Sequence, residues 1–140
     1  MEKFNWSRIV LGGVLAGVVL IVLATGSTAL FGQQKLGLAT PALRPLTSGS
    51  AALLFFIFVF LFLGILMTWW YAAIRPRFGP GPKTAAIAAL AVWLISVVEF
   101  LKSVALYEPF PSLPSGPMVP ILYLLMIVAS TEVGAWVYKE

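Results

Sequence analysis

The chain has no cysteine, no histidine and no aspartate, and only 10% of its residues carry charge. Without cysteine there is no disulfide, no thiol nucleophile and no thiolate ligand for zinc or an iron–sulfur cluster. Without histidine the chain lacks axial histidine ligation of haem or chlorophyll, and the one side chain that titrates unperturbed near neutrality. Serine triads need histidine, and metal hydrolases usually need histidine or aspartate. A Ser103–Lys102 dyad fails on geometry, because adjacent helix positions point apart. The sequence therefore reads as non-catalytic, with no cofactor and no metal.

The scarcity of charge also excludes an ordinary soluble domain, which carries about a quarter charged residues. Here 61% of the 140 residues are hydrophobic and the mean hydropathy is +1.01. That length allows one domain, residues 1–140. The net charge of +4 comes from nine Lys/Arg against five acidic residues, all glutamate. The cations flank apolar runs instead of forming a stripe. Anionic lipid headgroups are thus the expected partner, and nucleic acid is not.

A bilayer core about 30 Å thick needs about 20 apolar residues in a helix. Four stretches qualify: about Ile9 to Thr25 with an apolar continuation to Phe31, Ala51 to Ile74, Thr84 to Leu106, and Met118 to Tyr138. The expected fold is all-α, a polytopic four-transmembrane-helix bundle. The first stretch has no A-x-A-like site before a soluble domain and three spans follow it, so it reads as retained. Thr84 is the expected N-cap of the third span, and Pro117 and Pro120 fall near the first turn of the fourth. Glu108 to Pro117 is a proline-rich connector that cannot be helical. Thr40-Pro41, in the outer loop from Gly32 to Ser50, is a candidate start of a short interfacial helix.

Orientation follows from the cations. With the N-terminus inside, Lys3, Arg8, Arg75, Arg77, Lys83 and Lys139 are cytoplasmic, Lys35 and Arg44 are outside, and Lys102 lies within a span. Trp6, Trp69, Trp70, Tyr71, Trp136 and Tyr138 then sit at the inner interface, which amphipathic rings favour. Both ends of the chain are expected in the cytoplasm, in a cytoplasmic membrane.

Helices in lipid associate through close packing, so small residues mark where backbones approach. The candidates are Gly13 and Gly17 on the first span, Ala85 and Ala89 on the third, and Ser130 and Gly134 on the fourth. They serve packing within the bundle or self-association. The second span, with Phe55, Phe56, Phe58, Phe60 and Phe62 and few small residues, reads as partly facing lipid or a partner.

Charges inside spans are expensive and are functional candidates by default. Glu99 and Lys102 share a helix face; they form either a self-neutralising ion pair or a pathway carboxylate with its cation. Glu132 lies about 9 Å along the axis from the end of the fourth span, at a depth similar to Gly12, Gly13 and Thr68. It is read as hydrogen-bonded across the bundle, as paired with Arg8, or as a proton or cation site. Glu99 and Glu132 are separated by about 10 Å along the membrane normal, as relay stations would be, too far for a paired-carboxylate site.

Arg75-Pro-Arg-Phe-Gly-Pro-Gly-Pro-Lys-Thr84 is the most distinctive string. It lacks the spacing and the preceding strand of a phosphate-binding loop, and its prolines remove N–H donors. Its cations Arg75, Arg77 and Lys83 read as a rigid basic hairpin against headgroups, or against a partner's acidic surface. With the closing Gly134-Ala-Trp-Val-Tyr-Lys-Glu140, the run from Trp70 to Lys83 resembles a group of small four-span bacterial membrane proteins of uncharacterised role. That resemblance covers about a third of the chain and implies a four-helix fold in a bacterial inner membrane, and no activity.

Two functions compete. One is a non-catalytic accessory or assembly subunit of a larger membrane complex. The other is a small transporter or channel subunit that uses Glu132, with or without Glu99, for protons or cations.

Overall fold

The structure, a computed structural model, describes residues 5–35, 49–107 and 118–138. Lys3, Arg44, Lys139, the Thr40-Pro41 pair and the Glu108 to Pro117 connector lie outside the described residues. Among the described residues four helices make up the fold: α1 (Trp6–Lys35), α2 (Ser50–Phe78), α3 (Pro82–Tyr107) and α4 (Met118–Val137). Each is long and apolar enough to cross a membrane. In a bilayer the backbone finds no water, so an apolar run satisfies its own N–H and C=O groups by coiling into a helix.

The ends of the helices differ from the sequence reading in informative ways. α1 runs well past Thr25, and its regular geometry breaks at Gly32, where φ is 77°. α2 continues through Ile74 and over Pro76, so Arg75 and Arg77 occupy its last turn instead of a loop. There they face the negative end of the helix dipole. The turn between α2 and α3 is only Gly79-Pro80-Gly81, and both glycines have positive φ, 82° and 131°. Thr84 is not the N-cap. α3 opens at Pro82, as a proline without an N–H allows. Thr84 lies inside the first turns, where its hydroxyl donates back to the Gly79 carbonyl at 2.7 Å. That bond closes the hairpin from the α3 side, and the Gly81 N–H donates to the Tyr71 hydroxyl at 3.3 Å.

α1 packs on α2 and α4, α3 packs on α2 and α4, and α2 also meets α4 across the centre. Among the described residues α1 and α3 do not meet. The start of α1, the α2–α3 turn and the end of α4 share one end of the bundle. Ile9, Tyr71, Ala72, Ala85, Ala88, Ala135 and Tyr138 cluster there. Tyr71 and Tyr138 meet edge to face with centroids 6.2 Å apart. The Arg75 guanidinium lies 5.6 Å from the Tyr138 ring centroid, a cation–π arrangement. The middle of the bundle holds a second cluster of Ala16, Leu20, Met67, Ala89, Met126 and Ile127. Toward the far end, the Trp93 indole N–H donates to the Pro120 carbonyl at 2.9 Å and ties α3 to α4.

The α1–α2 seam is the closest. A Cβ on Gly17 would lie 2.7 Å from Leu61 Cα, and one on Gly13 would run into the Ile65 backbone. Gly64 answers from α2, where a Cβ would strike the Gly13 carbonyl oxygen and the Gly17 nitrogen. Backbone lies on backbone here, so the helices meet along glycine surfaces. Phe55, Phe58 and Phe62 project from α2 with more than half their surface exposed, while Phe56 and Phe60 are half-buried. α2 thus turns Gly64 toward α1 and a phenylalanine face outward.

Candidate functional site

The small residues of α1 and α4 meet α2 at a three-helix junction. A Cβ on Gly12 would lie 2.7 Å from the Gly134 carbonyl oxygen and 3.3 Å from Thr68 Cγ2, and one on Gly134 would meet Thr68 Oγ1. Ser130, one turn from Gly134, is fully buried, as are Ala85 and Ala89 on α3. All six predicted packing residues therefore lie at close or buried contacts. Gly64 and Thr68 are the members that sequence spacing missed.

The polar groups of this interior are hydroxyls. Among the described residues the buried polar or charged side chains are Thr68, Thr84, Ser130 and Thr131. Thr131 donates to the Ile127 carbonyl at 2.8 Å and sits 3.3 Å from the Met67 sulfur. Thr68 Oγ1 and Ser130 Oγ are buried without a hydrogen-bond partner. Fully buried Ile9, Leu20, Met67 and Ile127 fill the space around them.

The charged candidates lie outside this interior. Glu99 and Lys102 form an ion pair, Nζ to Oε2 at 2.5 Å, along the exposed face of α3, with each side chain more than half exposed. Glu132 is half-buried and falls on the outward stripe of α4 with the exposed Ile121, Leu125, Ala129 and Trp136. That 4-4-3-4 spacing is one helix face. Gly134, Ser130 and Thr131 occupy the opposite face, against α1 and α2. Glu132 therefore points away from Gly12, Gly13 and Thr68 despite their similar depth. Neither a cross-bundle hydrogen bond nor an ion pair with Arg8 is formed: among the described residues Glu132 has no polar partner. A shallow groove of about 530 Å³ runs over the outer face of α1, lined by Trp6, Ser7, Val10, Leu11 and Val14, and does not reach Glu132.

At the shared end, Arg75 and Arg77 on the last turn of α2 and Lys83 on the first turn of α3 flank the Gly79–Gly81 turn. Trp6, Trp70 and Trp136 lie exposed at the same end. This arrangement combines a cationic rim with amphipathic rings, as at a bilayer–water boundary.

Fold and site together define an all-α bundle of four helices, each long and apolar enough to span a membrane: a multi-pass membrane protein with a hydroxyl-lined interior. No protein-family description, curated protein or solved structure matches the chain.

Proposed function

We propose that this chain is a non-catalytic accessory or assembly subunit of a larger membrane complex. One observation carries the reading: every charge described within the apolar spans faces outward, and the interior holds only packed apolar groups and hydroxyls. A transporter or channel subunit needs an ionisable or hydrated route inside the bundle or between its copies. Glu132 faces outward instead, beside apolar side chains that a neighbour can cover.

The reading extends to a cytoplasmic membrane with both termini inside. Support comes from the excess of Lys and Arg on one side of the spans, and from the gathering of Arg8, Arg75, Arg77 and Lys83 with the tryptophans at one end. The basic turn lies against anionic headgroups, where each cation contributes roughly 1 kcal/mol. The resemblance of the Trp70 to Lys83 run to small bacterial four-span proteins points to a bacterial inner membrane.

Extraction of native membranes in a mild detergent, with sizing and mass spectrometry, tests the subunit reading. The expected result is a discrete assembly containing this chain and at least one other membrane protein in fixed ratio. A 15.1 kDa chain that runs alone under conditions preserving other complexes contradicts it.

A further inference from the structure

We infer that the outward stripe of α4 docks a partner transmembrane helix carrying a lysine or arginine at the depth of Glu132. This deepens the subunit reading and rests on it. Glu132 lies about 9 Å along the axis from Tyr138 and about 21 Å from Met118, within the apolar part of α4. Its stripe is otherwise Ile121, Leu125, Ala129 and Trp136, of which Leu125 and Trp136 are 61% and 67% exposed. A glutamate side chain is too short to snorkel to the headgroups as lysine does. Its own bundle supplies no polar partner among the described residues. An ionised carboxylate at that depth needs a cation or donors that the described residues do not supply.

Charge selects the occupant. A second copy docking by two-fold symmetry would present the same patch to itself and bring Glu132 near its own equivalent. Like charges at close range oppose that contact. The other intramembrane cation described, Lys102, is already paired with Glu99 on α3. A different helix with its own cation satisfies the carboxylate and covers the leucine and tryptophan. Ala129, one turn from Glu132, leaves room for its backbone to approach.

The absence of cysteine makes the test clean. Full-length L125C protein is reconstituted in vesicles with a leucine–alanine transmembrane peptide that bears one lysine level with Glu132, about 9 Å from the end beside Tyr138, and one cysteine about two turns away, level with Leu125. A control peptide has leucine in place of the lysine. Disulfide formation is expected to be about tenfold greater with the lysine peptide, the scale of an interhelical polar contact in lipid. The excess should disappear in a Glu132→Leu background and shrink with Glu132→Gln, whose near-identical size guards against misfolding. Leu11→Cys, on the outer face of α1, should not discriminate between the peptides. Equal yields from both peptides at Leu125→Cys overturn the proposal, as does predominant Leu125→Cys homodimer without peptide. If yields are equal while the native chain still co-purifies with partners, the subunit reading stands and the α4 assignment falls. If the chain captures the lysine peptide yet runs alone natively, the subunit reading falls instead.

Discussion

Glycine does two opposite things in this chain, and the difference is readable residue by residue. At Gly64 a Cβ would strike the Gly13 carbonyl oxygen and Gly17 nitrogen, backbone atoms that move only if the two helices separate. Gly26 has nothing within 4 Å of the same added atom. Gly64→Ala is therefore expected to destabilise the bundle by about 2 kcal/mol or more, as overpacking of a tight site does. Gly26→Ala should stabilise it by about 0.5–1 kcal/mol through helix propensity alone. Reversible unfolding of the two variants in mixed micelles measures both. Gly13 and Gly17 were legible in the sequence because their four-residue spacing repeats on one helix. Gly64 was not, because it stands alone among phenylalanine and leucine and its partners are on another helix. Glu132 was legible as an intramembrane charge, but not its direction. Both faces of α4 are apolar, since lipid and protein interior look alike to a hydrophobic pattern, so the inward face is known only once α1 and α2 are seen to meet Gly134.

At the scale of elements, the spans were legible because length and hydropathy suffice to find them, whereas their ends depend on local chemistry. α2 runs on through Arg75-Pro76-Arg77 because a proline near a helix end leaves the earlier turns hydrogen-bonded, and Gly79 then caps it by donating to the Arg75 carbonyl at 2.8 Å. Thr84 has the residue type of a cap, but Pro82 already starts α3, and the threonine hydroxyl turns back to Gly79. The pairing of α3 with α4 rests on small-residue contacts at one end and on the Trp93–Pro120 hydrogen bond toward the other. No sequence pattern announced that bond, because it joins an indole to a carbonyl on a different helix. Trp93→Phe keeps an aromatic ring and removes the donor. It is expected to cost about 1 kcal/mol and to loosen the α3–α4 pair at that end. Amide hydrogen exchange in micelles should show faster exchange in the first turns of α4, with the Tyr71–Tyr138 end unchanged; uniform acceleration would mean that the bond supports the whole bundle.

For the whole molecule, the organising feature is the separation of polarity into three zones. Hydroxyls and glycines lie inside, intramembrane charges lie on the outer faces of α3 and α4, and cations with tryptophans gather at the end that holds the α2–α3 turn. A membrane protein arranged this way has its chemistry at its surfaces, which is why we propose association and not conduction. Substituted-cysteine accessibility tests that claim most directly, because the chain supplies no background thiol. Single cysteines at Ser130 and Thr131 probe the interior, and one at Pro80 marks the turn. In vesicles of defined sidedness, a small water-soluble thiol reagent should label Pro80→Cys from the cytoplasmic face and leave Ser130→Cys and Thr131→Cys unmodified from either face. Rapid labelling of the two interior positions in folded protein would reveal a hydrated route through the bundle and contradict the account.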